Sequence, residues 1–182
     1  LLATPLAGGA QVASAPYRDS SRPVERRVDF LFNETATTEK FWQLFMVPGD
    51  RDDPSHDWSA GAFGLQVVAV DSGLDAARAH AARINAIQRY FVDSTRLGIP
   101  IIPFDEALHG LMRPGATVFP QAIGLAATWD TALMGRVAEA IATETGSRGI
   151  RQVLSPVVNL SRDGRWGRTE ETFGESVYLV SR

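Results

Sequence analysis

Cysteine is absent from the sequence, which excludes disulfides and thiolate metal sites. Histidine is scarce. His56, His80 and His109 have neither H-x-x-x-H nor H-E-x-x-H spacing, so a zinc centre is not expected. The acidic stretch with Asp50, Asp52, Asp53 and Asp57 lacks the ligand order of a calcium loop and reads as solvated. No Walker or Rossmann glycine pattern and no serine-nucleophile elbow occurs, so nothing points to a nucleotide cofactor or a serine hydrolase. An excess of one charge sign is also missing. A formal net charge of −3 gives no attraction for nucleic acid or an anionic membrane.

What is there is 182 residues, 45% hydrophobic and 21% charged, enough for one medium domain with a real core. Residues 1–15 are small, apolar and uncharged, and end in Ala13-Ser-Ala15, the small-x-small form of a signal-peptidase site. Too short and too interrupted by glycine and proline to span a bilayer, they read as the remnant of a secretory signal. That implies an exported protein, periplasmic or extracellular; a disordered Ala/Gly-rich leader is the competing reading. Residues 16–30, polar and rich in arginine, read as a linker or arm.

Periodicity supplies the elements. Phe41, Leu44 and Phe45 share one face of a helix expected over residues 37–46, with Thr37 or Thr38 as cap. Residues 48–56 are a loop by composition, and residues 63–70 a first strand. Over residues 74–97, Ala77, Ala81, Ile84, Ile87 and Phe91 form the buried stripe of a long helix. Apolar runs at 99–105, despite its prolines, and at 153–160 read as buried strands. Asp130 caps a helix whose Leu133, Val137, Ala140 and Ile141 face inward and which ends at Gly146 or Gly149. A further helix starts near residue 175. Alternating strands and helices imply a parallel sheet. The fold class is therefore α/β: either a small open sheet or, preferably, the N-terminal part of a (β/α)8 TIM-type barrel, since a whole one takes about 250 residues.

Two polar constellations follow strands. One is Asp105-Glu-Ala-Leu-His-Gly110; the other is Arg162-Asp-Gly-Arg-Trp-Gly-Arg-Thr-Glu-Glu171. In a parallel sheet both open on the rim where α/β folds bind ligands. Arginine forks, carboxylates and an aromatic plate suit a polyhydroxylated ligand, because hydroxyls both donate and accept. Glu106 would accept from sugar hydroxyls, Arg168 would donate, and Trp166 would wall a sugar ring. The competing account is a surface ion-pair network, with Glu106 paired to an arginine and His109 a hydrogen-bonded structural imidazole. Asp105 and Glu106 point to opposite faces if the strand persists, so only one enters the pocket.

Three motifs in succession carry a resemblance: Glu106-Ala-Leu-His-Gly110, the stretch Ala116-Thr-Val-Phe-Pro120 continuing to Ala127-Thr-Trp-Asp130, and Arg165-Trp-Gly-Arg168. Together they resemble the N-terminal barrel domain of glycoside hydrolase family 3, as in bacterial β-glucosidases and β-xylosidases, over residues 31–182. The resemblance implies a partial (β/α)8 barrel and retaining hydrolysis of terminal, non-reducing β-D-glucosyl or β-D-xylosyl units, from a β-linked oligosaccharide or aryl glycoside, with no cofactor. It assigns Glu106 and Arg168 to substrate binding and Glu171 to orienting the arginine, and treats His109 and Trp166 as architectural or as pocket wall. The family's Lys-His pair, nucleophilic aspartate and acid/base glutamate have no counterpart in residues 1–182. No residue here is therefore assigned as catalytic, and these residues alone are expected to be inert. A truncated, non-catalytic carbohydrate-binding or scaffold protein is the alternative, and an incomplete barrel would favour self-association through its open strand edges.

Overall fold

The computed structural model describes residues 15–69 and 75–182. Its strands are β1 (Met46–Pro48), β2 (Gly64–Gln66), β3 (Ile102–Asp105) and β4 (Gln152–Val153), in the sheet order β1-β2-β3-β4. β1 and β2 pair in parallel with Met46 opposite Gly64, and β3 and β4 in parallel with Phe104 opposite Gln152. The helices are α1 (Val24–Glu34), α2 (Thr37–Trp42), α3 (Ala76–Ser94), α4 (Ala122–Ala126), α5 (Thr131–Ser147) and α6 (Val177–Val180). Each strand lies beside its predecessor in the chain. A barrel is built that way, whereas a doubly wound sheet reverses direction at a switch point. The α/β class, with parallel strands and helices between them as in the N-terminal part of a TIM-type barrel, is what the chain forms. No helix among the described residues is long and apolar enough to cross a membrane.

The chain divides into two compact units, Leu1–Gln66 with Asn85–Ile102, and Val67–Ile84 with Pro103–Arg182. In the first, Trp58, Leu65, Ile87, Phe91, Leu97 and Ile101 are buried, and the Trp58 ring meets the edge of Phe91 with centroids 6.3 Å apart. Gln88 clamps Ile101 from both sides: its Nε2 donates to the Ile101 carbonyl at 2.7 Å and its Oε1 accepts from the Ile101 N–H at 3.0 Å. Arg96 donates through Nε to Glu39 at 2.9 Å and also contacts it through Nη2. The second unit packs Phe119, Leu133, Met134 and Val153 around Ala107, Leu125, Val137 and Ile141.

The two long helices follow their sequence patterns, with one shift. On α5, the Asp130 carboxylate accepts from the Leu133 N–H at 2.8 Å, and Gly149, at φ +84°, follows the helix end. On α3 the buried stripe is Ala76, His80, Ile84, Ile87 and Phe91, whereas Ala77 and Ala81 are only half-buried. The stripe turns because His80 Nε2 donates to the buried Val67 carbonyl at 2.9 Å, which draws a polar residue onto the inner face.

Several expected elements differ. The helix over 37–46 ends at Trp42, and Met46 begins β1. Phe41, Leu44 and Phe45 are exposed, and the buried residue of α2 is Glu39. Ala36, not Thr37 or Thr38, is the N-cap; the Glu39 carboxylate reaches back to its N–H at 2.8 Å. The segment 16–30, expected as an arm, holds a 3-10 turn at Pro16–Arg18 and most of α1, none of whose residues is buried. The run 153–160 pairs with β3 only at its start. Leu154 and Val158 are exposed, and after Pro156, which has no N–H to give a ladder, only Val157 bridges, to Thr172. Of the segment 1–15 expected as a signal remnant, residues 1–14 lie outside the described residues, as do residue 70 of the first expected strand and residue 74 of the long helix. That strand stops at Gln66, that helix at Ser94, and the run 99–105 is strand only from Ile102.

Candidate functional site

Glu106 follows the last residue of β3. Its neighbour Asp105 is 1% exposed and is ion-paired with Arg113, whose Nε donates to Oδ2 at 2.6 Å. The other oxygen of Asp105 accepts from the Glu106 N–H at 2.8 Å, and the Glu106 carbonyl accepts from the Met112 N–H at 3.0 Å. Asp105 is thus consumed by structure. Glu106 stays half-buried, and its carboxylate makes no hydrogen bond among the described residues.

The loop after Glu106 is pinned at several points. His109 Nδ1 donates to the Phe119 carbonyl at 2.9 Å, and the Phe119 N–H donates to the His109 carbonyl at 2.8 Å. That fixes the imidazole tautomer with the proton on Nδ1. Gly110 has φ +127°, and a Cβ there would sit 2.2 Å from the Thr117 carbonyl oxygen, so only glycine fits. Glu144 of α5 accepts from both the N–H and the hydroxyl of Thr117, at 2.8 and 2.6 Å, which hold its carboxyl below the usual range. Arg148, buried, donates to the Pro114 carbonyl at 2.8 Å.

The second constellation is an excursion closed at its base by the Val157–Thr172 bridge. Thr172 is fully buried, and its hydroxyl donates to the Thr169 carbonyl at 2.8 Å. Within the excursion, 3-10 turns at Gly164–Trp166 and Thr169–Glu171 present the side chains. Asp163 and Arg165 form an exposed local pair. Arg168 grips Glu171 through Nε, 3.0 Å from both carboxylate oxygens, and through Nη2, 2.5 Å from one. The hydrogen bonds from Arg168 hold the Glu171 carboxyl below its usual range, and the same bonds raise Arg168. The negative charge of Glu106 adds a smaller part to that rise. The guanidinium carbon of Arg168 is 6.0 Å from the Trp166 ring centre, and Trp166 is 41% exposed. Nη1 of Arg168 has no hydrogen bond among the described residues, which leaves a donor pair for an incoming oxygen.

Arg168, Glu171 and Trp166 therefore form one exposed cluster on the excursion, while Glu106, with His109 in the loop after it, stands at the end of β3 in the same unit. Two cavities of that unit do not include Glu106, Arg168 or Glu171. One, about 510 Å³, lies against Met134, Ile141, Val153 and Phe173; the other, about 260 Å³, against Leu125, Trp129, Met134 and Leu179. Both are mainly apolar and offer little to a polyol. Sequence reasoning missed Arg113, Glu144 and Thr172. Their partners are distant in the chain or on the backbone, and no local spacing marks them.

The matches to known proteins converge on one group. Residues 37–182 match the Glycosyl hydrolase family 3 N terminal domain. A beta-xylosidase of Formosa agariphila is 42% identical over 93 residues, covering 48% of this chain and 13% of that protein. A periplasmic beta-glucosidase of Salmonella typhimurium is 30% identical across 83% of this chain and 19% of its own length. The solved β-glucosidase EmGH1 of Erythrobacter marinus superposes with a TM-score of 0.75 at 34% identity, over 92% of this chain and 23% of that one. The chain thus spans less than a quarter of the length of each of these three. Its fold, its ordered motifs and these matches lead to one assignment: the chain belongs to glycosyl hydrolase family 3.

Proposed function

We propose that this chain carries the sugar-gripping part of a retaining glycoside hydrolase that releases terminal, non-reducing β-D-glucosyl or β-D-xylosyl units from a β-linked oligosaccharide or aryl glycoside. The observation that supports it most is the Arg168–Glu171 fork, which leaves Nη1 of the arginine without a hydrogen bond among the described residues. Such a set donates and accepts on adjacent hydroxyls of one ring. Trp166 offers a face for the pyranose, Glu171 keeps the arginine aimed, and His109 holds the loop behind Glu106. Relatives named as a beta-xylosidase and a periplasmic beta-glucosidase support the substrate class and an exported location.

Bond cleavage with retention needs two carboxyl groups about 5 Å apart, one of them free to attack. Glu171 is tied up by Arg168, and Glu106 has no carboxylate assigned opposite it. We therefore place the nucleophile and the acid/base outside residues 1–182, and this segment expressed alone should not turn over an aryl glucoside. In the full-length protein, Arg168→Ala should lower kcat/KM for 4-nitrophenyl β-D-glucoside by about 100-fold, as for a lost charge-assisted hydrogen bond of roughly 3 kcal/mol. An unchanged kcat/KM would remove Arg168 from the site. Glucose binding without hydrolysis in the full-length protein would favour a carbohydrate-binding role instead.

A further inference from the structure

The Glu106 carboxylate has no hydrogen bond of its own among the described residues, so its direction is set by the backbone that carries it. That backbone is clamped at both ends. Asp105 Oδ1 accepts from its N–H, and the Met112 N–H donates to its carbonyl. The next residue, Arg113, then returns its guanidinium to Asp105 Oδ2 at 2.6 Å. Residues 105–113 thus close into a ring through one buried carboxylate, with Glu106 inside it. Asp105 is 1% exposed, and the Arg113 side chain 15%. Such a pair is costly to bury and weak evidence for stability, which leaves room for a role in fixing the local geometry.

We propose that Arg113 is a positioning residue for sugar binding, which rests on the reading of Glu106 as a sugar ligand. Its guanidinium holds the Asp105 carboxylate in one rotamer, and that carboxylate fixes the Glu106 N–H and hence the angle at which Glu106 meets a hydroxyl. Removing the guanidinium leaves Glu106 in place chemically but lets its backbone turn. The effect of Arg113 on binding therefore passes through Glu106.

The test is a double-mutant cycle in the full-length protein, read as the Kd for glucose by tryptophan fluorescence, with circular dichroism melting as the check on folding. Glu106→Gln should weaken binding about tenfold or more, and Arg113→Met by a similar factor, from lost charge-assisted contacts. In the Glu106→Gln background, Arg113→Met should change the Kd no further. Losses that multiply would mean that Arg113 acts on general packing, and would overturn the proposal. So would an unchanged Kd in Arg113→Met when Glu106→Gln binds weakly; that result leaves the sugar site standing. Unchanged binding in Glu106→Gln would instead defeat the sugar-site reading itself, before Arg113 is touched. If Arg113→Met does not fold, Arg113→Lys keeps a positive charge beside Asp105 without the Nε donor. Its smaller loss should likewise vanish in the Glu106→Gln background, and no loss at all would overturn the proposal.

Discussion

At Gly110 the Thr117 carbonyl oxygen occupies the space a side chain would need, and the backbone lies in a region that L residues rarely adopt. Gly110→Ala should therefore displace the 110–117 turn and cost about 2–4 kcal/mol, read by chemical denaturation. A loss below roughly 0.5 kcal/mol would show that the turn yields freely, since ordinary surface substitutions cost that little. Because His109 and Glu106 flank this turn, the same substitution should weaken sugar binding as well as folding. At this scale the sequence was informative about identity and weak about partnership. Glu106, Arg168 and Glu171 stand in recognisable motifs, but that Asp105 is locked to Arg113 depends on a loop closing back on itself, which no spacing announces.

Among the elements, α5 carries its own start signal. Asp130 accepts from the Leu133 N–H, and the first turn contains no acidic residue that could replace it. Asp130→Ala should cost about 1 kcal/mol and lower the Tm by a few degrees, with sugar affinity unchanged. A Tm equal to wild type would mean that tertiary packing, not the cap, fixes the helix start. The helices α3 and α5 were legible because their buried residues recur with helical period over many turns. β4 was not, because an apolar run does not say how much of itself will pair, and Pro156 cuts the ladder short. α1 was hidden by charge. Arg22, Arg26 and Arg27 make its surroundings look like a tether, yet Arg27 donates to the Tyr17 carbonyl at 2.8 Å and so ties the helix to the preceding turn. His80 was invisible for the opposite reason, since a histidine on an inner face looks like an interruption until its carbonyl partner is seen.

For the molecule as a whole, His80 and Glu39 are two partly or fully buried groups whose titration shapes the dependence of stability on pH. Burial lowers the pKa of His80 below 6.5, and the Val67 carbonyl offsets this only in part. The unfolded chain therefore binds the proton more readily. The contribution of a neutral His80 is complete above pH 6.5 and is lost as pH falls through the window below it. For Glu39, burial alone would raise the pKa, but the hydrogen bonds from Arg96 and from the Ala36 N–H, with the charge of Arg96, bring it below 4.5. Its contribution is complete above pH 4.5 and is lost as pH falls further toward the lowered value. Denaturation midpoints measured from pH 8 to pH 3 should thus fall in two stages. The upper stage should be missing in His80→Gln and the lower one smaller in Glu39→Gln, because Glu144 and Glu171 are also held below their usual range and titrate there; a single acid transition shared by all three proteins would refute this.

The strand order has a consequence for synthesis. Because β2 docks on β1, and β3 and β4 follow in turn, each new strand leaving the ribosome finds its partner already made. Each inner edge is covered as soon as the following strand emerges, so only the outer edges of β1 and β4 stay open to neighbouring chains in this stretch. The assembly line and the finished sheet run in the same direction.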